Sequence, residues 1–301
     1  MSYKQPITGF HNLGSTCYFN ALIQSIISCN IFMDEINKID INNYELYVKN
    51  TVSDISAINI IKLFQSYKVE NNNLSKLSAN IWYELIKTTP SYFQMGQQCA
   101  AEGFTLLLDV LDKYSDIKQL FYHRVRSRIY CPDCNNVVSD NKNMENMFIV
   151  ESNLNNEQID CFKEIHNTST NIKDFVINNT GFIEGYTCGK CKIKSNKFTI
   201  NNLTMVPSIL VINYKNYDKQ CHNITNIFPE QLIFNGKKNN LIYKAVAQIE
   251  HSGSVHSGHY WALCKRNNKW YNLNDMNISN VSGFLPTNNT YMIFYTIIQN
   301  P

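Results

Sequence analysis

The sequence predicts an α+β fold, and three observations carry that prediction. Apolar residues recur at helical spacing through the first third of the chain. From about His123 they give way to short segments rich in β-branched and aromatic residues. Neither an internal repeat nor a long linker separates the two regions.

The first helix is expected in the stretch NLGSTCYFNALIQSI, where Leu22, Ile23, Ile26 and Ile27 fall on one face. Ser15 and Thr16 are hydroxyl residues of the kind that cap a helix start, which places Cys17 in the first turn. Unpaired backbone N–H groups and the positive end of the helix dipole favour an anion there, so the thiol is expected to have a lowered pKa and to serve as a nucleophile. Helices follow in DISAINIIKLFQSY and SANIWYELIK, and a further one through Phe104, Leu107, Leu108 and Leu111. Strands are expected in HRVRSRIY, KFTINNLTM, SILVINY, LIYKAVAQI, HYWALCK, KWYNL and YMIFYTII. The Asn-rich tracts ENNNLS, NKNMEN, NTSTN and TNNT read as polar loops between them.

Composition bounds the function. With 44% hydrophobic and 17% charged residues in a 301-residue chain, there is ample material for a core. A net charge of +3, carried by scattered basic residues, does not point to nucleic acid. The N-terminus lacks the apolar core of a secretory signal and no apolar run is long enough to span a bilayer, so the expectation is a reducing compartment, cytoplasmic or nuclear, with no membrane partner. In that setting ten cysteines are expected to be free, metal-bound or catalytic.

Four of them form two C-x-x-C pairs, Cys131/Cys134 and Cys188/Cys191, each at the end of a strand-like segment. Four thiolates in paired knuckles make a closed tetrahedral site suited to structural Zn²⁺. The gap between the pairs suggests a clasp across two β-hairpins, with a short helix at NIKDFV.

A thiol nucleophile needs a base and a group that fixes the imidazole tautomer. His259 begins the strand HYWALCK and follows Gly258, which would let a ligand backbone approach. The next strand ends at Asn274 and Asp275, so a hairpin can bring either alongside His259. His251 and His256 read as structural or loop histidines.

These residues resemble the ubiquitin-specific proteases, a family of papain-like cysteine deubiquitinases. GFHNLGSTCYFNALIQ is similar to the family's cysteine box, and HSGSVHSGHYWA with KWYNLND to its histidine box. QQCAAEGFTLLLDVL and FPEQLIF resemble two of its intervening motifs, and the C-x-x-C pairs occupy the place of its zinc ribbon. The matches run in the family's order from Gly9 to about Tyr295. The resemblance implies one catalytic domain over 1–301, with a helical thumb over 1–120, a β palm over 121–301 and zinc-binding fingers around 124–206. It implies ubiquitin or its conjugates as partner, a monomer, and hydrolysis of the bond after ubiquitin's C-terminal Gly.

Carried over by position, Cys17 is the nucleophile, His259 the base, Asn274 the third member and Asp275 its acidic neighbour, while Asn12 completes the oxyanion hole. Gln98, Cys99, Glu102, Gly258 and Tyr260 fall at substrate-binding positions. Ser15 and Phe19 replace the family's usual Asn and Met. Cys99 stands where the family has an acid that holds ubiquitin's arginine-bearing tail, and Gly103 where it has an aromatic. The first change implies a weaker hold on that tail or a preference for a diverged ubiquitin-like one. An inactive ubiquitin-binding member is the alternative, and a zinc-ribbon nucleic-acid binder would leave both boxes unexplained.

Overall fold

A computed structural model describes residues 5–45, 51–67, 74–94, 96, 98–112, 116–151, 180–215, 229–235, 240–254 and 257–298. The expected helix at NIKDFV, the tract NTSTN and His256 lie outside them.

The helical part is organised around α1 (Cys17–Ile27), all eleven residues of which are buried. Around it stand α2 (Asn30–Lys38), α3 (Ile41–Glu45), α4 (Val52–Ser66), α5 (Leu77–Thr88) and α6 (Ala100–Leu111). α4 starts with a reciprocal cap, in which Thr51 Oγ1 accepts from the Asp54 N–H and Asp54 returns the bond to the Thr51 N–H. α1 has no such device, because Thr16 occupies the capping position but its hydroxyl does not cap. Thr16 Oγ1 instead accepts from the Leu13 N–H at 3.0 Å, closing the turn that leads into the helix.

The strands form two sheets. β1 (His123–Cys131), β2 (Asn136–Glu145), β4 (Thr180–Thr187) and β5 (Lys194–Met205) make a four-stranded sheet in the order β2-β1-β5-β4. The second sheet contains β3 (Phe148–Glu151), β6 (Ile209–Lys215), β8 (Asn240–Gly253), β9 (Gly258–Arg266), β10 (Lys269–Asn274), β11 (Asn277–Val281) and β12 (Thr290–Ile297). Its order is β11-β10-β9-β8-β12-β6-β3, and β7 (Gln231–Asn235) pairs with β8. NKNMEN, expected as a loop, lies largely in β2. That strand is exposed along most of its length, so it lacks the apolar alternation by which a half-buried strand is recognised.

Register positions the site. β9 and β10 are joined at Asn267 and Asn268, both with positive φ, the conformation a two-residue hairpin turn of right-handed twist requires. The pairing sets Cys264 opposite Tyr271 and Ala262 opposite Leu273. Alternation along β9 turns Tyr260, Ala262, Cys264 and Arg266, all buried, to one face. Tyr260, Ala262 and Cys264 pack with the residues of α1 in the main core. Leu263 and Trp270 lie on the opposite face, in a second cluster with Tyr243, Ile293 and Tyr295.

Candidate active site and four-cysteine cluster

Cys17 opens α1 and is 5% exposed. The backbone N–H of Tyr260 is directed at its sulfur, one peptide unit from His259, so the helix start and the strand start meet there. Burial pushes the thiol above its ordinary value, and the Asp275 carboxylate pushes the same way. The N–H groups of Tyr260, Tyr18 and Cys17 pull down, as a helix start should, but they do not win. The lowered pKa expected from the helix position is therefore corrected: burial outweighs the N–H groups at this helix start and pushes the thiol up.

His259 is half-buried, and its Nε2 lies 2.6 Å from Asn274 Oδ1. With that oxygen as acceptor, Nε2 carries the proton and Nδ1 is left with its lone pair. The Trp261 ring lies nearly parallel to the imidazole, with centroids 6.2 Å apart. Asn274 ends β10 one residue beyond the Leu273–Ala262 pair, and Asp275 leaves the strand with the chain turning.

Asp275 indeed has a different role in the structure. It takes a positive φ of 50°. Its carboxylate accepts from Asn12 Nδ2 at 2.9 Å and from Asn20 Nδ2 at 2.7 Å. Its carbonyl accepts the Phe10 N–H at 2.9 Å. The residue thus ties the end of β10 to both sides of the Cys17 turn. Asn12 is fixed from its other end as well, since Oδ1 accepts the N–H groups of Gly14 at 2.9 Å and Thr16 at 3.1 Å. That leaves one Nδ2 hydrogen of Asn12 without a partner among the described residues. Gly14 has φ 109°, which a side chain would strain.

The remaining predicted positions lie at the start of α6 and at the start of β9. Glu102 is exposed in the first turn of α6, and Gln98 is half-buried just before it. Cys99 precedes α6, with Sγ 2.9 Å from the Tyr291 hydroxyl. Tyr260 is buried, with its ring centroid 5.6 Å from that of Tyr291 and 4.3 Å from that of His251. Gly258 is exposed, but a Cβ there would meet His251 Nε2 and the Ser252 carbonyl, each at 2.5 Å. The close approach this glycine permits is thus to its own neighbouring strand. Gly103 is buried beside the rings of Tyr18 and Tyr92, which line the space above it.

Asn20 and Gln24 were not singled out in the sequence. The available signal was two polar residues at i, i+4 on a helix face otherwise apolar, where burial demands partners. Asn20 meets Asp275, and Gln24 Nε2 donates to the Thr8 carbonyl at 2.7 Å.

At the far end of the four-stranded sheet, the Sγ atoms of Cys131, Cys134, Cys188 and Cys191 all lie within 4.8 Å of one another. Cys131–Cys191 and Cys134–Cys188 are both 3.8 Å apart. Thiolates at about 2.3 Å from a tetrahedral ion stand about 3.8 Å apart, so the donor set fits a four-coordinate thiophilic metal. The two turns match: Asn135 and Lys192, each following the second cysteine of its pair, have positive φ. N–H groups of Lys190 and Cys191 point at Cys188 Sγ, at 3.3 and 3.4 Å. Lys197, with a fully buried side chain, pairs with Asp133 at 2.7 Å beside Cys131.

A thiol at a helix start, packed against the strand that bears an asparagine-held histidine, is the apparatus of a thiol hydrolase of papain-like architecture. The sequence profile described as ubiquitin carboxyl-terminal hydrolase matches residues 8–295, and the chain belongs to that family of cysteine-type deubiquitinases. Ubiquitin carboxyl-terminal hydrolase 8 of Saccharomyces cerevisiae is 22% identical over 353 residues, covering 99% of this chain and 72% of the yeast protein. Ubl carboxyl-terminal hydrolase 18 of Homo sapiens is 25% identical over 315 residues, covering 93% of this chain and 79% of the human one. Among solved structures, the SAGA Ubp8/Sgf11/Sus1/Sgf73 DUB module bound to ubiquitin aldehyde superposes with a TM-score of 0.68 at 19% identity, covering 99% of this chain and 71% of that chain. The expected α+β, papain-like fold is the fold of that neighbour.

Proposed function

We propose that Cys17, His259 and Asn274 hydrolyse the isopeptide or peptide bond that follows the C-terminal glycine of ubiquitin. The observation that carries this assignment is the junction of α1 with β9, where the thiol abuts the peptide next to an imidazole already held by Asn274. His259 Nδ1 takes the thiol proton as sulfur attacks the glycine carbonyl, and returns it to the leaving amine as that bond breaks. Water then opens the thioester, with the same nitrogen as base. The oxygen that turns negative is met by the Cys17 N–H and by the other Nδ2 hydrogen of Asn12. One such donor is typically worth ~3–4 kcal/mol. Asp275 acts by holding Asn12, and Glu102, Gln98 and Cys99 lie along the approach of the ubiquitin tail.

The four cysteines hold one structural Zn²⁺, supported by the tetrahedral edge lengths and by all-sulfur donors, which suit zinc. Zinc there supplies cross-linking of two hairpins and leaves no open position for chemistry. The chain acts as a monomer in the cytoplasm or nucleus, which sedimentation and imaging of the tagged protein would test.

A ubiquitin carrying an electrophile at its C-terminus is expected to label the wild-type protein on Cys17 and to leave Cys17→Ala unlabelled but folded. Labelling that persists in Cys17→Ala would remove the proposed nucleophile.

A further inference from the structure

Arg266, the last residue of β9, heads the largest fully buried side chains among the described residues. The groups around it carry no formal negative charge, and the Tyr67 hydroxyl and the Cys264 thiol stand beside it. The guanidinium donates to Ser28 Oγ, to the Gln24 carbonyl at 2.7 Å, to Gln24 Oε1 at 3.2 Å and to the Lys265 carbonyl at 3.3 Å, while Nε has no partner among the described residues. Removing a guanidinium from water without a carboxylate is costly, so stability alone is a poor reason to find it here. What it gains is the last turn of α1, whose orphan carbonyls and negative dipole end suit a cation.

The placement is specific. β9 presents Tyr260, Ala262, Cys264 and Arg266 along one face, with Tyr260 at the N-terminal end of α1 and Arg266 at its C-terminal end. From Tyr260 to Arg266 the strand rises about 20 Å, while α1 from Cys17 to Ser28 rises about 16 Å. The long side chain bridges the difference. Gln24 extends the grip, because its other end holds the Thr8 carbonyl in the segment that leads to Asn12. Next along the chain, Asn267 exchanges hydrogen bonds of 2.9 Å with Gln5 in both directions, and Gln5 Nε2 donates to the Ile27 carbonyl at 2.9 Å.

We propose that Arg266 is a positioning residue for the hydrolase: by gripping the last turn of α1 from the end of β9, it sets the register of the helix that carries Cys17 against the strand that carries His259. The inference rests on those two residues being nucleophile and base. Without Arg266, α1 is free to slide or roll on β9, and thiol and imidazole separate although both remain present.

The experiment compares wild-type protein with Arg266→Met and Arg266→Lys, well below their melting temperatures, on a ubiquitin C-terminal fluorogenic amide. Folded Arg266→Met is expected to lose at least tenfold in kcat with KM within about twofold, since a fully buried side chain offers ubiquitin no contact. Alkylation of Cys17 by chloroacetamide at neutral pH should slow with kcat. A purely stabilising role would leave alkylation unchanged or speed it, because looser packing exposes the sulfur. Arg266→Lys, which keeps the charge and can reach one carbonyl, should recover part of both rates. Wild-type kcat in folded Arg266→Met, or a rise in KM alone, would overturn the proposal. If Arg266→Met does not fold, Arg266→Lys decides: kcat and alkylation several-fold below wild type are expected, and wild-type values in both would overturn it. Cys17→Ala serves as the control for the underlying assignment. Activity surviving in that variant refutes the nucleophile, whatever the Arg266 variants do.

Discussion

At Cys17 burial raises the thiol while three backbone N–H groups lower it, and burial prevails. In the proposed mechanism catalysis leans on His259, whose ring is held by one oxygen of Asn274. Asn274→Ala should lower kcat by about 10- to 100-fold with little change in KM, less than the 10²–10⁴-fold that a general base contributes. Asp275→Asn removes a carboxylate that raises the Cys17 pKa, so alkylation of the free protein at neutral pH should accelerate. Its kcat should nonetheless fall, because Asn12 and Asn20 lose a charged acceptor. Slower alkylation in Asp275→Asn would contradict the electrostatic account. Cys17 and His259 stand out in the sequence because each lies at the start of an element with a strong local pattern, and the structure has those elements. Hairpin geometry left Asn274 and Asp275 as alternatives, and only the family resemblance put Asn274 at the third position. In the structure, the contact of Asn274 with His259 and the positive φ at Asp275 tell them apart.

Among elements, β1 and the knuckles carry the clearest tests. His123 opens β1 fully buried, and burial lowers its pKa to about 4. The unfolded chain binds its proton near the ordinary histidine value of about 6.5, so it holds more protons than the folded one between those limits. Stability should thus fall as pH drops from about 6.5 to about 4, by up to ~3 kcal/mol from this residue. Denaturant melts of His123→Phe should show a shallower loss across that window; an unchanged slope would exclude His123 as its source. Wild-type protein should keep one equivalent of zinc through dialysis, and Cys188→Ser should lose it, measurable by a chromogenic chelator, with a lower melting temperature through the four-stranded sheet. Retention of that equivalent by Cys188→Ser would contradict the proposed four-cysteine ligation. The knuckles were legible as spacing, whereas β2 was not, because a strand exposed on both faces has no alternation to display.

At the scale of the molecule, two distant parts of the chain are clamped together at both ends of α1. Asp275 joins Asn12 and Asn20 at the start of α1, and Arg266 joins Gln24 and Ser28 at its close. Both clamps span more than 230 residues of sequence, with separations of 263 and 255 for the first and 242 and 238 for the second. Contacts at that range depend on tertiary register, which is why the sequence showed the parts and the structure showed their junction. The most direct measurement of the account traps the acyl-enzyme: mix the protein with a ubiquitin C-terminal amide, quench in acid, and map the adduct by mass spectrometry. A thioester-linked ubiquitin on Cys17, formed in the wild type and all but absent in His259→Ala, is the predicted result. An adduct on any other residue, or undiminished formation in His259→Ala, would contradict it.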